Sequence, residues 1–125
     1  MCKLLLSINP EYVEKIFAGV KEYEFRKSRC KRPIDGIIFY CTSPVKRVVG
    51  EASVKRVLVD DPSRMWQKVK NAAGITHDFY DQYYSGRKNA VAYQLVDIKR
   101  YDVPKQLEEF GIYHAPQSYI YLAEY

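Results

Sequence analysis

At Gly19 the spacing of apolar residues changes from a helical period to an alternating one. Before it, Val13 and Ile16 recur at helical spacing behind an Asn-Pro pair that is typical of a helix start, which predicts a helix over 10–18. Glycine is common just after a helix end. After it, apolar and charged residues alternate over 23–26, which predicts a strand. The chain must therefore join a short helix to a strand through a tight, highly charged turn.

Charged side chains occupy one face of this predicted strand. Alternation places Glu24 and Arg26 together, opposite Tyr23 and Phe25, while Lys21 lies in the turn. If that face is exposed, the two charges form a surface pair worth under about 1 kcal/mol. If it lines a cleft, arginine offers a planar fork for phosphate or carboxylate, and lysine offers a charge with a tunable pKa. The spacing alone leaves both interpretations open.

The rest of the chain predicts more strands than helices. Alternating or apolar runs predict strands over 3–8, 34–42, 47–59, 90–98 and 119–122. Helical spacing, capping residues and terminal glycines predict helices after Pro62, over 78–85 and over 104–110. This pattern predicts an α+β fold, a mixed and partly closed β-barrel with helices packed around it. With 125 residues, we expect a single domain over 1–125.

Four aromatic residues fall on the predicted helix over 78–85. Phe79, Tyr80, Tyr83 and Tyr84 can pack a core, or one of the tyrosines can face a pocket. A phenol ring can both stack on a base and donate a hydrogen bond.

The overall charge is modestly basic, with a formal net charge of +5. This fits a nucleic-acid partner and many other proteins. The stretch 27–33 is rich in lysine and arginine and is predicted to be a loop. It is either a solvated loop or a rim that faces phosphates.

Several classes of protein are disfavoured. Three cysteines without a close pair argue against a disulfide framework, and two distant histidines argue against a zinc site. No apolar run approaches the roughly 20 residues needed to cross a bilayer, and the first residues do not resemble a secretory signal. We therefore expect a cytoplasmic protein with no metal, no cofactor and no membrane partner. The sequence does not predict the oligomeric state.

The turn and strand carry a family motif. Gly19, Lys21, Glu24 and Arg26 match G-x-K-x-x-E-x-R, and the sequence resembles the ASCH domain, a branch of the PUA-like superfamily. It is similar to prokaryotic members described as predicted RNA-binding or transcription-related proteins. Further similarity lies at 5–10, 79–90 and 116–119.

The resemblance implies a small β-barrel with a cleft that binds RNA or a modified nucleoside or nucleotide. Lys21, Glu24 and Arg26 would line this cleft, and Tyr83 or Tyr84 would stack on a base. The polar character of Gln117 and Ser118 suggests the opposite wall, although both also suit turn capping.

Some relatives of this fold are enzymes. A small bacterial ASCH protein hydrolyses N4-acetylcytidine with a lysine at the position matched by Lys21, a threonine three residues later and a more distant glutamate. Here the threonine position holds Glu24, which cannot replace a hydroxyl nucleophile but can act as a general base. Glu51 is a candidate for the second carboxylate.

Three functions therefore follow. The first is a module that binds RNA or a modified nucleoside. The second is a hydrolase, either an amidohydrolase or a ribonuclease, with Lys21 and Glu24 as its catalytic residues. The third is an interaction or regulatory domain in which the charged cleft only stabilises the fold.

Overall fold

The computed structural model describes residues 2–122, which form a six-stranded sheet and three α-helices. The strands are β1 (Cys2–Ile8), β2 (Tyr23–Arg26), β3 (Ile34–Cys41), β4 (Arg47–Asp60), β5 (Ala90–Lys105) and β6 (Tyr119–Leu122). The helices are α1 (Pro10–Phe17), α2 (Pro62–Val69) and α3 (His77–Tyr83). In the described part of the chain, no helix is long and apolar enough to cross a membrane.

The sheet is mixed and curls until its two edges approach each other. Its order is β2-β5-β4-β3-β1-β6, with β1 and β3 parallel and the other pairs antiparallel. Arg26, on edge strand β2, donates hydrogen bonds to Ser7 on β1 and to Ser118 beside edge strand β6, each at 3.2 Å. The predicted α+β fold with a partly closed barrel is confirmed.

Alternation along the strands separates two parts of the core. On β1, Leu4 and Leu6 face the same apolar cluster as the buried residues of α1, whereas Leu5 faces a cluster on the opposite side. On β3, Ile37 and Ile38 divide in the same way. Successive strand residues point to opposite faces, so both faces of the inner strands are buried.

A third cluster fixes α2 and α3 against β2 and β5. Met65 and Trp66 of α2 pack with Tyr80 of α3 and with Phe25 of β2. The Phe25 and Tyr80 rings meet edge to face, with their centroids 5.6 Å apart. Phe25 thus couples the strand that carries the charged motif to the helices beside it.

The end of β5 differs from the prediction. The strand continues to Lys105 instead of ending near residue 98, and the predicted helix over 104–110 is a 3₁₀ helix over Leu107–Phe110. Pro104 is tolerated because it lies where the pairing of β4 with β5 is irregular, between the pairs Gly50–Arg100 and Val48–Lys105. A proline cannot donate to a regular ladder but is accommodated at a bulge.

Candidate functional site

The turn between α1 and β2 is hydrogen-bonded to α1, to the segment around Ala72 and to β5. The backbone amides of Val20 and Lys21 both donate to the carbonyl of Lys15 in α1, each at 3.1 Å. Glu22 donates to Ala72 at 2.8 Å and accepts from Leu95 of β5 at 2.9 Å. This network reverses the chain and directs Lys21 inward.

Lys21 is almost completely buried, with 2% of its surface exposed. Its Nζ atom donates to the carbonyl of Ala73 at 3.1 Å and lies 4.7 Å and 5.5 Å from the ring centroids of Phe25 and Tyr12. Burial lowers the pKa of Lys21 to about 8, although the nearby Glu24 carboxylate opposes this shift. A neutral amine is therefore accessible near physiological pH.

Gly74 makes room for Lys21. It has a positive φ of 70°, and a Cβ atom at this position would lie 2.5 Å from the Cβ of Lys21. Its carbonyl also accepts a hydrogen bond from Lys15 Nζ at 3.0 Å. Only glycine combines this backbone conformation with so close a side chain.

Glu24 and Arg26 form an ion pair that is largely shielded from solvent. Arg26 Nη2 lies 2.9 Å from Glu24 Oε2, and only 18% and 9% of the two side chains are exposed. The Nε atom of Arg26 is buried and has no hydrogen-bond partner among residues 2–122. The alternative of an exposed surface pair is therefore wrong.

Lys21, Glu24 and Arg26 all line one cavity of about 210 Å³, which we call the charged cavity. Four aromatic side chains, Tyr12, Phe25, Phe79 and Tyr83, also line it. Burial, together with the neighbouring carboxylates, raises the pKa of Tyr12, so its hydroxyl keeps its proton. The charged cavity thus combines buried charges with flat apolar rings.

Arg26 and Tyr83 also line a second cavity of about 170 Å³, together with Ser118. The Lys27 ammonium lies 4.9 Å from the centroid of the Tyr83 ring. Tyr84 is buried and directs its hydroxyl to the backbone carbonyls of Arg26 and Val91, at 2.9 Å and 3.1 Å. Of the two tyrosines proposed to stack, Tyr83 lines both of these cavities and Tyr84 lines neither.

Two candidate residues lie elsewhere. Gln117 is exposed and lines neither cavity. Glu51 does not line the charged cavity either, and instead accepts a hydrogen bond from Tyr101 at 2.8 Å. Its expected reach toward Lys21 is therefore wrong, because β4 directs it to another part of the sheet.

The sequence analysis missed Tyr12, Phe79 and Ser7 as cavity residues. Tyr12 precedes the apolar residue Val13 on α1, and the sequence predicts for Phe79 a place on a helix that packs a core or presents a stacking surface, with no position in the cleft. Their rings lie 6.0 Å apart, which brings α1 and α3 together over Lys21. A contact between helices so distant in sequence leaves no local periodic signal.

The curled sheet, its helices and the charged cavity define an ASCH domain of the PUA-like type. The crystal structure of ASCH from Zymomonas mobilis matches with a TM-score of 0.87 and 27% sequence identity, covering 98% of this chain and 88% of that one. The chain belongs to the family described as a domain of unknown function, DUF365, which matches residues 3–120.

Curated relatives include proteins of different lengths. A Zymomonas mobilis protein named ASCH domain-containing ribonuclease is 28% identical over 122 residues, which cover 94% of this chain and 82% of that protein. A Ureaplasma parvum protein named ATP synthase subunit alpha is 29% identical over 120 residues, which cover 95% of this chain. This chain spans only 15% of the length of that protein.

Proposed function

We propose that this protein binds single-stranded RNA or a modified nucleoside, with one base or phosphate in the charged cavity. The observation that carries the proposal is that Lys21, Glu24 and Arg26 line one cavity with four aromatic rings. The similarity to a protein named a ribonuclease supports RNA as the ligand class.

The size and chemistry of the charged cavity suit a single nucleobase. Its volume of about 210 Å³ is below the roughly 300–1,000 Å³ typical of sites for drug-sized ligands. Tyr83 or Phe79 would stack on the base, because aromatic side chains stack on bases of any sequence. Glu24 would accept a hydrogen bond from an exocyclic amine, and Arg26 would donate to a phosphate or to an acceptor on the base.

Calorimetric titration with nucleosides and short single-stranded RNAs at low salt tests this proposal. Arg26→Ala should weaken binding at least tenfold, whereas Arg47→Ala removes an equal charge from an exposed position outside the charged cavity and should not. Circular dichroism would verify that both variants fold. The absence of binding to every RNA and nucleoside tested would contradict the proposal.

A second candidate is cleavage of the RNA, favoured by the buried Lys21 with its pKa of about 8. The neutral amine of Lys21 would accept the proton of a ribose 2′-hydroxyl, and the 2′-oxygen would attack the adjacent phosphorus. The bond from phosphorus to the 5′-oxygen would break, the 5′-oxygen would take a proton from water, and the proton held by Lys21 would return to solvent, leaving a 2′,3′-cyclic phosphate. The Arg26 cation would stabilise the charge that develops on the phosphate.

Two substitutions at Lys21 separate a proton acceptor from a positive charge. Lys21→Met removes both properties, whereas Lys21→Arg keeps the charge but cannot give up a proton at ordinary pH. If Lys21 is the base, both variants lose cleavage, and a 2′-deoxy substitution at the cleaved position blocks it in the native protein. Full activity of Lys21→Arg would contradict the role of Lys21 as the base.

The same purified variants should be tested with N4-acetylcytidine. Deacetylation that disappears in Lys21→Met would assign the hydrolase chemistry to an amide rather than to a phosphodiester. In that reaction Glu24 would act as the base toward water, since no threonine stands at its position.

A further inference from the structure

The basic loop over 27–33 is held in place by two tyrosines. The Cys30 amide donates to the Tyr93 hydroxyl at 3.0 Å, and the amides of Lys31 and Arg32 donate to the Tyr121 hydroxyl at 2.8 Å and 3.2 Å. The Arg32 guanidinium lies 4.7 Å from the centroid of the Tyr121 ring. The loop therefore presents its cations from a fixed backbone.

A groove of about 270 Å³ lies between this loop and β4, and we call it the basic groove. Four cationic side chains, Arg29, Arg32, Lys55 and Arg56, line it, and no acidic residue does. Arg56 donates to Gln94 at 2.8 Å. Across residues 2–122, none of the four cations forms an ion pair with an acidic residue. Four unneutralised cations around one concavity favour an anion with several charges.

We propose that the basic groove binds the phosphates of the RNA strand that extends from the charged cavity. This inference rests on the proposed function. Arg26 lines the charged cavity and the second cavity, Lys27 and Ser28 line the second cavity, and the loop then continues into the basic groove. The path from Arg26 to Arg32 spans six residues, at most about 21 Å, which several nucleotides can cover.

The shape of the basic groove favours a flexible chain over a flat charged surface. An RNA strand can enter a concavity and place successive phosphates beside Arg29 and Lys55, whereas a lipid surface cannot follow it. Because the loop is already held by Tyr93 and Tyr121, binding requires little additional ordering. The groove would then contribute affinity independent of sequence, while the charged cavity selects the base.

Salt-dependent binding of a single-stranded RNA octamer, measured by fluorescence anisotropy, tests this proposal. The double variant Arg29→Gln/Lys55→Gln removes two charges from exposed positions in the groove. The slope of log K against log salt should fall by about 1.4, because each phosphate contact on a single strand contributes about 0.7. The matched double variant Lys46→Gln/Arg47→Gln removes two exposed charges near the other end of β4 and should leave the slope unchanged.

Nucleoside binding distinguishes the failure of this inference from the failure of the proposed function. A nucleoside fills only the charged cavity, so its affinity should be the same in the native protein and in both double variants. Normal nucleoside binding with an unchanged octamer slope in Arg29→Gln/Lys55→Gln would overturn the groove alone. An equal loss of slope in both double variants would overturn it too, because the effect would then follow net charge. If the native protein bound neither nucleoside nor octamer, both proposals would fail.

Discussion

Arg26 Nη2 lies 2.9 Å from Glu24 Oε2, and the same guanidinium connects three strands or strand ends of the sheet. The two residues are separated by one position on β2 and share a face, so the strand geometry brings them together. Arg26 then reaches Ser7 on β1 and Ser118 before β6. The pair therefore both lines the charged cavity and holds the two edges of the sheet near each other.

Removing both members of this pair should destabilise the fold by less than the sum of the two single removals. Glu24→Gln leaves the Arg26 charge poorly compensated, and we expect the free energy of unfolding to fall by about 2 to 3 kcal/mol. Breaking a fully buried pair typically costs more, roughly 3–5 kcal/mol. The double variant Glu24→Gln/Arg26→Met should lose less than the sum of its single variants. Urea unfolding of the four proteins measures this coupling. Additive losses would mean that the ion pair contributes no coupling energy.

The buried Lys21 should make stability increase with pH across a defined window. Its pKa is about 8 in the folded protein and about 10.5 in an unfolded chain, so between these values the unfolded chain binds more protons. The full free-energy cost of burying the charged Lys21 amine applies below about pH 8, and this cost disappears as the pH approaches 10.5. From about pH 7.5 to about pH 9.5, we expect the free energy of unfolding of the native protein to rise by about 2 kcal/mol relative to that of Lys21→Met.

The comparison with Lys21→Met is needed because several tyrosines also titrate differently in the two states. Burial raises the pKa of Tyr80, so this tyrosine ionises more readily in the unfolded chain than in the folded protein. The free energy of unfolding therefore falls as the pH rises above about 10. That contribution is shared by both proteins and cancels in the difference. A difference in unfolding free energy that stays constant with pH would show that Lys21 has an ordinary pKa.

Replacing Gly74 should displace Lys21, whereas replacing Gly86 should not. Both glycines have a positive φ, 70° and 77°, so alanine strains the backbone at each by roughly 1–2 kcal/mol. Only at Gly74 does the new Cβ meet Lys21; at Gly86 nothing lies within 4 Å. We expect Gly74→Ala to lose about 1–3 kcal/mol more than Gly86→Ala. Equal losses in denaturant unfolding would contradict this close packing.

Local sequence patterns predicted the strand that carries the motif with its correct limits. Residues 23–26 alternate, Gly19 separates them from the helix, and the same residues form β2. The alternation of Ile37 and Ile38 between two clusters was predictable for the same reason. Side-chain direction in a strand depends on the parity of the position, which a sequence displays directly.

Contacts between distant segments were not predictable in this way. Lys21 is buried because Ala73, 52 residues away, supplies a carbonyl and Gly74 leaves space. Polar character predicted both Gln117 and Ser118 for the opposite wall of the cleft. Of these two residues, only Ser118 accepts a hydrogen bond from Arg26. Such outcomes depend on how the sheet curls, since neither residue belongs to a periodic element.

The two tyrosines at the end of α3 should have separate effects on RNA affinity and on stability. The Tyr84 hydroxyl is buried against backbone carbonyls, so Tyr84→Phe leaves those acceptors without this donor and should lose about 1–2 kcal/mol of unfolding free energy. Its ring does not line the charged cavity, so RNA affinity should not change. Tyr83 lines both cavities, and its hydroxyl makes only a long 3.4 Å bond to Phe25.

Tyr83→Phe should therefore keep both stability and affinity, whereas Tyr83→Ala should weaken RNA binding by about 1–3 kcal/mol through the loss of stacking. Anisotropy titrations and urea unfolding of the three variants measure the two effects on the same samples. If Tyr83→Ala binds RNA as tightly as the native protein, the base does not stack on this ring, and Phe79 or Tyr12 becomes the next candidate because both line the same cavity.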